Sequence, residues 1–107
     1  MSSLDTVALI RAKPGSESVV MDALTELRVH TRAEEGCLRY DLFESAATPG
    51  TYVTVEEWTN QEALDQHLGS AHIAAALTAV EGALAGPPEI HPLTPSWQAG
   101  SGTPKTS

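Results

Sequence analysis

Two histidines in the middle of the chain, His67 and His72, are the side chains best suited to proton transfer. Imidazole changes its protonation near neutral pH and can serve there as a general base. His67 lies between Leu64 and Leu68 on the apolar stripe of a predicted helix, and His72 falls in the first turn of the next helix. Each histidine can be a catalytic base or a hydrogen-bonded structural residue, and the sequence leaves both alternatives open.

The same region gives no motif for a metal centre. His67 and His72 are separated by a predicted helix break, and neither the single cysteine nor a third histidine is near them in sequence. Regular zinc motifs place ligands at short, defined spacings. We therefore expect no metal ligands and no metal cofactor. We interpret Cys37, which starts a predicted strand, as a small core residue in preference to a reactive thiol.

An apolar wall for a substrate is predicted beside the histidines. Tyr52, Thr54 and Trp58 alternate along one predicted strand, so they share one face. Aromatic residues make up only 5% of the chain. Trp58 is therefore either a core aromatic or a pocket wall that stacks on an aromatic substrate. Leu64 and Leu68 on the following helix would complete the wall.

Hydrophobic periodicity and turn residues predict the elements that position these side chains. We expect strands over residues 6–12, 37–44, 51–58 and 89–93, a first helix from Ser16 to Gly36, a second from a capping box at Thr59 to Gly69, and a third from Ser70 to Gly86. This order is β-α-β-β-α-β with the last helix broken in two. It predicts an α+β, ferredoxin-like domain over residues 1–93, with helices on one sheet face and a flexible tail over residues 94–107.

The other sheet face needs a cover of its own. Val53 and Val55 alternate with the residues of the Trp58 face, so they would be wetted in a monomer. An identical sheet is the simplest cover for such a face. We therefore expect a homodimer formed through Val53 and Val55.

Composition excludes some classes of partner. The 107-residue chain has a formal net charge of -8 and a pI near 4.7, which argues against binding nucleic acid or an anionic membrane. Its N-terminal residues lack the basic and apolar regions of a signal peptide, and no window resembles a membrane span. We expect a cytoplasmic protein.

Three phrases in the sequence, EEGCLRYDLFES, VEEWTNQEALDQHLGSAH and GPPEIHPLTP, each fall on the predicted elements. With them the chain resembles the antibiotic biosynthesis monooxygenase domain family from about Val7 to Thr94. That family comprises small dimeric α+β barrels and includes quinol monooxygenases and polyketide-tailoring oxygenases. The resemblance implies a reaction without flavin, haem or metal, in which a deprotonated phenol or quinol supplies electrons to O₂.

The resemblance carries over residue by residue only in part. Aromatic polyketide monooxygenases of the family have Asn and Trp on the third strand, Tyr on the next helix and Arg on the third helix. Trp58 matches the Trp, whereas Thr54, Leu64 and Leu77 occupy the other three positions. The residues that the haem-degrading branch requires are replaced by Ala8, His67 and Leu77, which argues against haem degradation.

The leading hypothesis is a cofactor-independent monooxygenase that acts on a small quinol or polyphenolic aromatic and O₂. His67 or His72 would be the base, and Trp58, Thr54, Tyr52, Leu64, Leu68 and Leu77 would bind the substrate. One alternative is an isomerase or cyclase that moves protons on a small carbonyl compound. The other is a non-catalytic dimeric module that binds a small ligand.

Overall fold

The computed structural model describes residues 3–96 and consists of four strands and three helices. In chain order these are β1 (Leu4–Arg11), α1 (Glu17–Arg32), β2 (Cys37–Glu44), β3 (Thr51–Trp58), α2 (Gln61–Leu68), α3 (Ala71–Ala79) and β4 (Glu89–Pro92). The predicted α+β, ferredoxin-like order is confirmed. Most of the predicted tail, residues 97–107, lies outside the described residues. Within residues 3–96, no helix is long and apolar enough to cross a membrane.

The strands form one antiparallel sheet in the order β2-β3-β1-β4. The central pair is β3 with β1, and its register places Val53 opposite Leu9 and Val55 opposite Val7. Residues directly opposite each other share a face. These four aliphatic side chains therefore form one patch on the face that points away from the helices.

Strand β3 has the strict alternation that its sequence predicts. Tyr52, Thr54, Glu56 and Trp58 are buried beneath the helices, whereas the residues between them are only partly buried. Tyr52 belongs to a core cluster with Val20, Leu24 and Val80, and Trp58 belongs to a second cluster with Tyr40, Ala63 and Leu64. The face of β3 therefore joins the core under α1 and α3 to the core under α2.

Three predicted helix ends differ from the structure. Helix α1 ends at Arg32, and Gly36 does not adopt the left-handed conformation predicted for it. Helix α2 is capped by Asn60 instead of Thr59, because the Asn60 side chain accepts a hydrogen bond from the Ala63 amide. Helix α3 ends at Ala79 rather than near Gly86, since the chain turns at Gly82 with a φ of +79°. The predicted Ser70 cap of α3 is present.

Gly36 is required for close approach between the start of β2 and helix α2. A Cβ atom added there would lie 2.5 Å from the Ala63 Cβ and 3.2 Å from the Thr59 Oγ1. The Gly36 carbonyl also accepts a hydrogen bond of 3.0 Å from the Thr59 amide, which holds the two segments together. The small size of Gly36, and not its backbone freedom, explains its place in the fold.

We expect Gly36→Ala to lower the free energy of unfolding by about 1–3 kcal/mol, because the added methyl group must displace the backbone-anchored Cβ of Ala63. The control is Gly86→Ala, where an added Cβ meets nothing within 4 Å. That change should alter stability by less than about 0.5 kcal/mol. Urea denaturation followed by circular dichroism measures both, and equal stability of the two variants would contradict the packing argument.

Candidate active site

A cavity of about 100 Å³ lies between the sheet and the helices. Its wall is largely apolar, with Ile10 from β1, Leu24 from α1 and Ile73 from α3 among the lining residues. Among the described residues 3–96, the polar side chains on the wall are those of Tyr40, Glu56 and His67. An apolar cavity with a few convergent polar groups is the usual form of a small-molecule site.

His67 is the imidazole of this cavity. It lies in the last turn of α2, is 2% exposed, and packs against Trp58 and Tyr40 with ring centroids 4.6 and 5.7 Å away. Its Nδ1 lies 2.7 Å from Oε2 of Glu34. A carboxylate only accepts hydrogen bonds, so Nδ1 carries the proton in this pair. The neutral ring then has an unprotonated Nε2, which can accept a proton.

Glu34 joins the two histidines. The same oxygen, Oε2, lies 2.6 Å from Nε2 of His72. The short link between α2 and α3 fixes this geometry, since Ser70 Oγ donates to the His67 carbonyl at 2.7 Å and accepts from the Ile73 amide at 3.3 Å. Two helices thus meet at one carboxylate, which follows α1 in the turn that leads into β2.

His72 does not line the cavity. It faces a separate groove between α1 and α3, and its ring stacks on that of His30 with a centroid distance of 5.9 Å. The groove also contains Glu26, whose carboxylate lies 2.9 Å from His30 Nε2. Of the two predicted bases, only His67 is in contact with the cavity.

Glu56 is the buried carboxylate of the site. One of its oxygens accepts from Thr54 Oγ1 at 2.6 Å, and the other accepts from Trp58 Nε1 at 2.8 Å. Burial raises the pKa of Tyr40 well above its ordinary value, and the nearby negative charge of Glu56 raises it further. Tyr40 therefore stays protonated at neutral pH and can donate a hydrogen bond but not act as a base.

Cys37 starts β2 and is partly buried against the cluster of Tyr40, Trp58, Ala63 and Leu64. Burial raises the pKa of its thiol, and the charge of Glu34 acts in the same direction. A protonated thiol is a poor nucleophile. Its environment is that of a packing residue.

The eight predicted site residues fall into three groups. His67, Leu68 and Leu77 line the cavity, and both leucines are partly exposed at its edge. Tyr52, Thr54, Trp58 and Leu64 are buried in the core, where Thr54 and Trp58 hold Glu56 from behind the wall. His72 lies in the neighbouring groove. The roles assigned to these residues stay predictions.

Sequence reasoning missed two carboxylates. Glu56 shares a face of β3 with Thr54 and Trp58, and strand alternation alone does not distinguish it from an ordinary strand residue. Glu34 is 33 residues from His67 and 38 from His72 along the chain. Among residues 3–96, Glu34, His67 and His72 form the one group of potential metal ligands whose donor atoms lie within 4.8 Å of one another. Glu34 is therefore a third potential ligand that lies near both histidines in space, although none is near them in sequence.

The sequence model of a known family, described as antibiotic biosynthesis monooxygenase, matches residues 6–79. Two relatives are each named as a candidate monooxygenase. YcnE of Bacillus subtilis (strain 168) is 37% identical over 65 residues, which are 61% of this chain and 68% of that protein. Rv0793 of Mycobacterium tuberculosis is 38% identical over 71 residues, which are 66% of this chain and 69% of that protein.

Solved structures agree with the sequence comparison. The structure of Rv0793 superposes with a TM-score of 0.81 at 34% identity, covering 92% of this chain and 99% of that one. PA3566 from Pseudomonas aeruginosa superposes with a TM-score of 0.80 at 29% identity, covering 87% of this chain and 93% of that one. The family predicted from the sequence is thus confirmed, and the chain belongs to the antibiotic biosynthesis monooxygenase family.

Proposed function

We propose that this protein is a monooxygenase that oxidises a small quinol or related phenol with O₂, without flavin, haem or metal. The observation that supports this most is the position of His67. It is the single imidazole on the cavity wall in the part of the chain described, and its Nδ1 is held by Glu34. Its Nε2 is thereby kept as the proton acceptor for a phenolic hydroxyl.

The size of the cavity favours a small substrate. A cavity of roughly 150 Å³ in another protein accommodates benzene, and the cavity here measures about 100 Å³. A single aromatic ring therefore needs more room than the cavity has, and outward shifts of the exposed side chains Leu68, Leu77 and Ile90 at its edge would supply it. A fused polyketide would need a larger opening, so we favour a monocyclic quinol.

The polar groups suit distinct tasks. His67 takes the phenolic proton, and the protonated Tyr40 can donate a hydrogen bond to the oxygen that becomes negative. Glu56 is not the base, because both of its oxygens are already engaged by donors. The substrate anion then reduces O₂: one oxygen atom enters the ring, two hydrogens leave the substrate, and the second oxygen atom departs as water.

We further propose that the protein is a homodimer formed through the outer sheet face. Val7, Leu9, Val53 and Val55 form an aliphatic patch there, and Phe43, paired with Val53, extends it at 50% exposure. A contiguous apolar patch on a sheet is a common interface. A second copy of the same sheet would cover it by two-fold symmetry.

We expect chelator-treated protein to consume O₂ when a monocyclic quinol is added, in a one-to-one ratio of O₂ to substrate. The product should be heavier by one oxygen atom and lighter by two hydrogens, and isotopically labelled O₂ should supply that oxygen. An oxygen electrode and mass spectrometry measure both. A product of unchanged mass would instead support the isomerase, and no turnover across a substrate panel would contradict both enzyme hypotheses.

We expect His67→Gln to lower kcat by about 10²–10⁴-fold, the usual contribution of a general base. The matched control is His91→Gln on β4, an exposed histidine outside the cavity, which should retain the activity of the original protein. Thermal melts of both variants separate a catalytic loss from unfolding. Full activity in folded His67→Gln would exclude His67 as the base.

We expect Val55→Glu to convert a dimer to a monomer, because two carboxylates would be buried at the symmetric interface. The matched control is Val29→Glu on α1, where the original side chain is 59% exposed and outside the sheet face. Size-exclusion chromatography with light scattering gives the mass of each. A monomeric original protein, or a dimeric Val55→Glu variant, would refute this interface.

A further inference from the structure

The cluster of Glu34, His67 and His72 has the composition of a transition-metal site. It offers one carboxylate oxygen and two imidazole nitrogens, and these donor atoms all lie within 4.8 Å of one another. Two histidines and one carboxylate form the protein ligand set of many catalytic zinc and non-haem iron sites. Such sets leave coordination positions open to water or other ligands.

The separations require only small adjustments. Zinc bonds of about 2.0–2.2 Å place neighbouring ligand atoms about 3–3.5 Å apart. Here Glu34 Oε2 lies 2.7 Å from His67 Nδ1 and 2.6 Å from His72 Nε2. Binding an ion would widen these two separations by less than about 1 Å and bring the two nitrogens no more than about 1.5 Å closer.

The surroundings hold the ligands in place and exclude most water. The side chain of His67 is 3% exposed, that of Glu34 is 17% exposed and that of His72 is 22% exposed. Trp58 and Tyr40 pack against the His67 ring, and His30 stacks on the His72 ring. Packing of this kind restricts the rotamers that the two imidazole rings can adopt. The groove that contains His72 supplies a path for an ion from solvent.

The charge of the cluster also favours a cation. Within residues 3–96, Glu34 forms ion pairs with these two histidines alone and with no lysine or arginine. A largely buried carboxylate is stabilised when a positive charge is placed beside it. A divalent ion would supply that charge without requiring either histidine to be protonated.

We propose that Glu34, His67 and His72 bind one divalent transition-metal ion of the zinc class per chain. Coordination uses the Nδ1 lone pair of His67, so the ring proton moves to Nε2. Nε2 then cannot accept a proton from a substrate. The ion therefore inhibits the proposed oxidation. The binding itself does not depend on the proposed function, whereas the inhibition does.

The test titrates Zn²⁺ into chelator-treated full-length protein by isothermal calorimetry, with Co²⁺ absorption as a second measure of nitrogen and oxygen ligation. We expect one ion per chain, a raised melting temperature, and no comparable binding of Mg²⁺, which prefers oxygen ligands. Glu34→Gln and His72→Ala should weaken Zn²⁺ binding by about 100-fold or more. Both residues are partly exposed, so the variants should fold.

Matched controls separate this site from adventitious binding. Glu35→Gln removes the adjacent exposed carboxylate, and His91→Ala removes an exposed histidine; neither should change the affinity. Equal binding by all variants, or no uptake of Zn²⁺ at micromolar concentrations, would overturn the site. In a quinol-oxidation assay, saturation with Zn²⁺ should abolish turnover. Zinc binding with undiminished turnover would overturn the inhibition and the role of His67 as base, but not the site.

Discussion

One carboxylate oxygen of Glu34 lies within hydrogen-bonding distance of ring nitrogens from two helices, and this shared contact organises the site. Glu34 lies in a turn, and its backbone carbonyl accepts a hydrogen bond from the Cys37 amide at 3.1 Å. This bond fixes Glu34 relative to the start of β2. His67 and His72 are fixed to each other by Ser70. The ends of three helices and a strand therefore meet where a negative charge is only 17% exposed.

A second buried carboxylate, that of Glu56 on β3, is subject to a related constraint. Burying a carboxylate is costly unless its oxygens are hydrogen-bonded. Thr54 and Trp58 each donate to one oxygen of Glu56, at residue spacings that only an extended strand places on one face. Trp58 therefore has two functions in the structure: its indole N–H satisfies Glu56, and its ring packs against His67. A residue that resemblance assigns to substrate binding is thus also a structural support for two polar groups.

The parts of the fold that sequence predicted well are those with local causes. The alternation of β3 follows from strand geometry. The Ser70 cap is also local, because the Ser70 side chain accepts a hydrogen bond from the Ile73 amide only three residues later. The α2 cap was misplaced by one residue because Thr59 and Asn60 are both good caps, and the backbone selects Asn60. The end of α3 was misplaced because apolar residues continue past it. Val80, in the turn after the helix, and Leu84, in a β-bridge with Ala12, still line the cavity.

The site was less predictable because its decisive contacts are not local. Nothing near Glu34 in sequence distinguishes it from the exposed Glu35 beside it; only the antiparallel fold brings it to two histidines more than thirty residues away. The resemblance identified the family correctly but did not identify the polar groups of the site. At three of the four positions where aromatic polyketide monooxygenases of the family have polar or aromatic pocket residues, this chain has Thr54, Leu64 and Leu77. Leu64 is packed in the core, and Leu77 is an apolar edge of the cavity. The polar residues on the cavity wall are instead Tyr40, Glu56 and His67, and Glu34 is hydrogen-bonded to His67. A shared fold therefore does not fix which polar groups line its cavity.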